Sequence, residues 1–203
     1  MWSKDQAQRL AGVPCYAEPA LRELKVKEID EATDYDIDGV LLSLTGHMDG
    51  ACGDVPCSYG YNPTVVGQYQ HRYGVDPLTE EVDPHKFYAL HGEHFTQFVR
   101  QVSNVVHAKG KKLICGTRTD GVHGWGDAVA GVGLIGRTMP QRDMRDGKSP
   151  LPLAAGFYLE TEKWAEEGLV DGLVCAAPFA DGVKAVRQLR EKVNLPVYMW
   201  RKY

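Results

Sequence analysis

Two short stretches concentrate the side chains best suited to chemistry. Thr45-Gly46-His47-Met48-Asp49-Gly50 sets an imidazole two residues from a carboxylate, a pair fit for general acid–base work. Arg118-Thr119-Asp120-Gly121-Val122-His123-Gly124-Trp125 gathers a permanent cation, a carboxylate, an imidazole and an indole within eight residues. An indole can cover the apolar face of a sugar ring while Arg, Asp and His bond its hydroxyls, so this second stretch reads as a carbohydrate-binding segment. Asp49-Gly50 and Asp120-Gly121 are also turn dipeptides, and a solvated polar loop is the competing reading of both. Tyr59, Tyr61 and Trp200 add aromatic surface, with Trp200-Arg201 ending the last expected strand. Trp164, at helical spacing from Tyr158 and Leu169, is expected to pack inside.

Other motifs carry less. Cys115 and Cys175 lie inside apolar runs and are expected to be core residues, whereas Cys52 and Cys57 fall in a Gly-rich loop beside His47, Asp49 and Asp54. A disulfide or metal fits that loop, but no second Cys or His pair completes a zinc set, so no metal is expected. Gly131-Val132-Gly133-Leu134-Ile135-Gly136 has the glycine spacing of a dinucleotide loop. It lacks the preceding strand and following helix that would aim amides at a pyrophosphate, so no cofactor is expected.

The elements that must position these residues alternate. The spacing of Leu21, Leu24, Val26 and Ile29 predicts a helix over Pro19 to Thr33, and the apolar run Asp38 to Leu44 predicts a buried strand. A long helix is expected from Phe87 to Lys109, ended by Gly110, then a strand from Lys112 to Thr117. Helices near Leu159 to Glu167 and Gly182 to Lys192 precede strands at Gly172 to Ala176 and Pro196 to Trp200. Such alternation implies parallel strands with right-handed crossovers, an α/β fold. Thr45 to Pro84 and Arg118 to Gly156 follow strand C-termini and are far longer than ordinary connections. Ligands bind at the strand C-termini of parallel α/β folds, so both loops stand where a pocket would be built.

The 203 residues are 43% hydrophobic and 25% charged, which fits one globular domain over 1–203 and excludes a disordered chain. With 23 Lys and Arg against 27 Asp and Glu, there is no broad basic field to hold nucleic acid or an anionic membrane. No apolar run approaches the length of a membrane helix, and the charged start Met1-Trp2-Ser3-Lys4-Asp5 is not a secretory signal. The compartment stays open. Five cysteines in a chain of this size do not suggest a disulfide framework.

Several phrases in combination resemble a family. Tyr16-Ala17-Glu18-Pro19-Ala20-Leu21-Arg22-Glu23 followed by Tyr35-Asp36-Ile37-Asp38-Gly39-Val40 resembles the helix and "DG" strand of glycosyl-hydrolase-like (β/α)8 barrels. Tyr59-Gly60-Tyr61-Asn62-Pro63, Arg72-Tyr73-Gly74-Val75-Asp76-Pro77 and His91-Gly92-Glu93-His94-Phe95 are similar to the long insertion after that strand in bacterial glycosidases. Trp164-Ala165-Glu166-Glu167-Gly168-Leu169-Val170-Asp171 is similar to their lead into a later strand. The resemblance implies a barrel acting on carbohydrate, of which this chain would hold the central part: about four βα units with two long loops. Many barrel glycosidases carry a Glu pair after the fourth and seventh strands. The corresponding places here hold Thr45, His47 and Asp49, and Met199, Trp200 and Arg201.

The expected function is therefore hydrolysis of glycosidic bonds in an oligo- or polysaccharide. Asp49 and Asp120 would form the carboxylate pair, with His47, Tyr59, Arg118, His123, Trp125 and Trp200 against the substrate. A non-catalytic carbohydrate-binding or structural barrel is the alternative that the missing Glu pair suggests. A metal-dependent hydrolase using His47, Asp49 and Cys52 is a third. Part of a barrel leaves strand edges open, so self-association or completion by further barrel segments is expected.

Overall fold

The four apolar runs expected as strands pair with one another in chain order. The computed structural model describes residues 15–43, 60–118, 122–123, 157–176 and 179–200. Within them β1 (Gly39–Leu42), β2 (Lys112–Arg118), β5 (Gly172–Ala176) and β6 (Val197–Trp200) form one parallel sheet in the order β1-β2-β5-β6. The class is α/β, and the sheet is open, with β1 and β6 at its edges.

Strand alternation divides the sheet into two unlike faces. Leu42, Cys115, Leu173 and Val197 share one rung, as do Thr117, Cys175 and Met199 on the next rung of that face. Cys115, Thr117, Leu173 and Cys175 on these rungs are buried, because every helix beside the sheet packs here. Val26 and Ile29 come from α1 (Pro19–Ala32), Phe98 to Val106 from α3 (Pro84–Ala108), Trp164 from α4 (Thr161–Glu166), and Leu189 from α5 (Phe179–Lys192). Trp164 is fully buried and its indole N–H donates to Oγ1 of Thr96 at 2.8 Å. The expected core roles of Trp164, Cys115 and Cys175 are met, and burial pushes the Cys115 thiol well above its ordinary range.

A second apolar cluster sits apart from the sheet. It joins Cys15 and Ala17, Tyr61, the helix α2 (Pro63–Tyr73) through Val65 and Tyr69, the first turns of α3 through Phe87, Tyr88 and Leu90, and Tyr158 of β4 (Phe157–Tyr158). Within the long connection expected from Thr45 to Pro84, the helix α2 forms. Pro63 opens it, Val65, Tyr69 and Tyr73 repeat at a four-residue spacing along one side, and Gly74 closes it at φ 69°. Tyr61, read as aromatic surface, is 2% exposed and packs on Phe87 with ring centres 4.9 Å apart.

Both clusters hang on α3. Its 25 residues span about 37 Å, whereas the seven residues of β2 span about 23 Å. A tight turn at 109–111 joins the two, with the Lys111 N–H bonded to the Val106 carbonyl. The surplus length therefore stands beyond the C-terminal end of β2. Asp83 caps this free end by accepting from the N–H groups of His85 and Lys86.

Candidate functional site

The C-terminal edge of the sheet is where the chain brings sequence-predicted residues together. The register pairs Arg118 with Ala176 and Ala176 with Trp200, so Arg118 of β2 and Trp200 of β6 occupy one rung, two strands apart. At about 4.8 Å per strand the two backbone positions are about 10 Å apart.

His123 is held beside this edge by a short antiparallel ribbon. β3 (Val122–His123) pairs with β4, His123 opposite Phe157 and Val122 opposite Tyr158. The ribbon is pinned to α3 at Gly92, where an added Cβ would lie 2.5 Å from the Tyr158 carbonyl oxygen. Only a residue without a side chain allows that approach. Phe157 packs against Phe95 with tilted rings 4.9 Å apart, and His85 Nδ1 bonds the Tyr158 hydroxyl. Burial raises that hydroxyl to a pKa of about 12, so it remains a phenol.

Between the two apolar clusters runs a polar seam that the sequence reading passed over. His91 is 5% exposed, and its Nε2 has no hydrogen-bond partner among the described residues. Burial first, and His94 second, hold its pKa to about 3 against the Gly60 backbone, so the ring is neutral. His94 donates through Nε2 to Oε1 of Gln68 at 2.8 Å, and burial followed by the Arg22 charge also lowers its pKa. Arg22 is buried, gives one terminal nitrogen to the Tyr16 carbonyl, and lies near Cys15 and Glu18. Glu18 in turn accepts from Asn62 at 3.3 Å. These bonds fix the chain at 60–62, where the long connection after β1 returns to the body. A helical His91-x-x-His94 spacing is the signal that was available in the sequence.

A Ser–His–Asp chain also occurs, but at the wrong end for ligand binding. Ser103 Oγ is 3.1 Å from Nδ1 of His107, whose Nε2 is 2.9 Å from Oδ2 of Asp171. Ser103 is 3% exposed, so its hydroxyl cannot meet a substrate. Asp171 also accepts the Leu113 N–H at 2.8 Å, which ties the start of β2 to the approach of β5. This chain is a clamp on the N-terminal edge of the sheet. Burial pushes the Asp171 carboxyl up, but the Leu113 and His107 hydrogen bonds outweigh it and leave the pKa lowered.

The remaining predicted residues, His47, Asp49, Tyr59, Asp120 and Trp125, lie outside the described residues, as do Cys52 and Cys57. Among the described residues no three His, Cys, Asp or Glu side chains are grouped to hold a metal ion, and no helix is long and apolar enough to cross a membrane. A scan against protein-family models gives no match to this chain, and a search of curated proteins gives none either.

Proposed function

We propose that the chain is part of a (β/α) barrel that binds an oligo- or polysaccharide along the C-terminal edge of its parallel strands and hydrolyses a glycosidic bond. The supporting observation is the shared rung of Arg118 and Trp200 at that edge, with the His123 ribbon anchored beside it. A guanidinium that bonds hydroxyls and an indole that covers an apolar sugar face suit one saccharide unit lying against both. Asp49, in the long connection that leaves β1, and Asp120, in the short link between β2 and β3, supply the two carboxylates that hydrolysis requires, one as proton donor and one as base or nucleophile. His47 or His123 tunes one of them, and Tyr59 and Trp125 add stacking surface.

Reducing-sugar release over a glycan panel, measured beside equilibrium binding, tests this reading. Asp49→Asn and Asp120→Asn should each abolish turnover while binding persists, and Arg118→Ala or Trp200→Ala should weaken binding about tenfold or more. Unchanged turnover in an Asp variant removes that residue from the mechanism. The second reading, a carbohydrate-binding barrel without catalysis, follows from Met199-Trp200 at the end of β6, where many barrel glycosidases carry a Glu. It predicts wild-type binding with no turnover at all.

A further inference from the structure

We propose that the polar seam is an acid-operated latch: protonation of His91 and His94 opens the second core and frees the return of the chain at 60–62, while the sheet core stays closed. The placement of the side chains leads there. His91 and His94 stand one turn apart on α3 and are 5% and 8% exposed, and Arg22 of α1, 6% exposed, is close enough for its charge to act on His94. Three side chains able to carry positive charge therefore share one seam, where water screens them little. Neither imidazole is set up to hold a second proton. His91 Nε2 has no acceptor among the described residues, the Gly60 backbone bonds the ring, and Phe87 packs edge-on to it with ring centres 4.8 Å apart. His94 commits Nε2 to Oε1 of Gln68, an uncharged partner from α2.

The charges that face the pair come from each element around it. The start of α1 gives Arg22, with Cys15, Glu18 and Glu23 near it, α2 gives Arg72, and α3 gives Glu93. Of these, Glu93 favours a charged His94, and it is already paired with Arg72 at 2.7 Å. Glu18 accepts from Asn62 at 3.3 Å and from Thr64 at 3.5 Å. Acid neutralises carboxylates as it charges imidazoles, so both changes drive the seam toward uncompensated positive charge. The bonds that hold 60–62 to α1 and α2 run through this seam.

Opening stays local because the two cores differ in what acid can charge. The sheet core is built of Phe, Val, Leu, Cys and Trp, and the buried polar residues Thr96, Ser103, Thr117 and Thr161 are neutral. Its acid-sensitive fastening, Asp171, holds until pH falls through a folded pKa below 3.8. The window of the seam lies higher. Burial depresses both imidazoles, His91 to about 3, whereas in the open chain they titrate near 6.5, so each step of acid below 6.5 favours the open seam. The seam therefore yields first. The β3–β4 ribbon then keeps Phe157 in the sheet core while Tyr158 loses its seat in the second. The inference stands without the carbohydrate reading, since it uses none of the proposed ligand contacts.

Hydrogen–deuterium exchange read by mass spectrometry from pH 7.5 down to pH 4, corrected for the intrinsic pH dependence of amide exchange, tests it. The opening equilibrium over 60–73 should rise about two-hundredfold across that range from His91 alone, while β2 and β5 keep their protection. His91→Phe, which keeps a ring but cannot take up a proton, should cut that rise at least tenfold. His94→Gln, which keeps a hydrogen-bonding side chain beside Gln68, should cut it by a smaller factor and serves as the test if His91→Phe fails to fold by far-UV circular dichroism. Loss of protection over 60–73 and β2 at the same pH, no rise in exchange down to pH 4, or a rise of equal size in the wild type and His94→Gln would each overturn the proposal.

Discussion

Two glycine-to-alanine substitutions in helices should change stability in opposite directions, and the structure gives the size of each. Gly67, in α2, has open space around its Cα, with nothing within 4 Å of an added Cβ. Alanine there should stabilise by about 1 kcal/mol through helix propensity. At Gly92, in α3, an added Cβ would lie 2.5 Å from the Tyr158 carbonyl oxygen and 3.3 Å from the Tyr158 carbonyl carbon. Those atoms are backbone of β4, fixed by the ribbon pairing and by Phe157 against Phe95, so they cannot yield as a flexible side chain would. A steric cost of about 3 kcal/mol less the same helix gain of about 1 kcal/mol leaves Gly92→Ala destabilised by about 2 kcal/mol. For a domain of this size that is a fall in Tm of about 4 to 8 °C. Urea denaturation of both variants beside the wild type measures the difference. Gly92→Ala as stable as the wild type would refute the claim that the β3–β4 ribbon rests directly on α3, and with it the argument that places His123.

Two further predictions concern pH. His91 takes up no proton in the folded chain until about pH 3, whereas the unfolded chain protonates it near 6.5. The unfolded state binds more protons between those values, so stability should fall as pH drops from 6.5 toward 3, and His91→Phe should flatten that part of the profile in urea melts. A profile unchanged by the substitution would mean that His91 is not buried neutral. Asp171 has the opposite history: its folded pKa lies below the unfolded value near 3.8, so its contribution is present above that value and is lost as pH falls through the folded pKa. Asp171→Asn should be less stable than the wild type at pH 7, with the gap narrowing below pH 4; a gap of equal size at pH 3 and pH 7 would dismiss the clamp.

The strands were legible because a parallel strand is a short apolar run, and Gly39 to Leu42, Lys112 to Thr117 and Gly172 to Ala176 are bounded by turn residues that show where each run starts, although β1 lies at the sheet edge with Leu41 exposed rather than buried as expected. The same grammar failed on smaller pieces. α2 carries Gly67 and three consecutive polar residues from Gln70 to Arg72 inside a long polar connection, so its four-residue apolar repeat was diluted. β3 and β4 are two residues each and 33 residues separate them, His123 to Phe157, so no local period could reveal the pairing. The polar seam was hidden for another reason. His91 and His94 lie on an otherwise apolar helix face, and their environment comes from residues 15–22 and 60–68, which only the folded chain brings close.

That division has a consequence for where function would be controlled. The sheet and its helices fix the ends of β2 and β6, hence Arg118 and Trp200, through one apolar core. The second core and the seam fix the return of the chain at Gly60, and the two cores share the seat of the ribbon that carries His123, Phe157 lying in the first and Tyr158 in the second. α3 contributes to both cores, as β4 does through Phe157 and Tyr158, and the excess length of α3 over β2 is what holds the second core above the strand ends. A substitution deep in the sheet core, such as one at Val102 or Leu173, should therefore lower stability and binding together. One in the seam, such as His94→Leu, removes a hydrogen bond to Gln68 while leaving the sheet core whole, so it should act mainly on the loops that frame the strand ends.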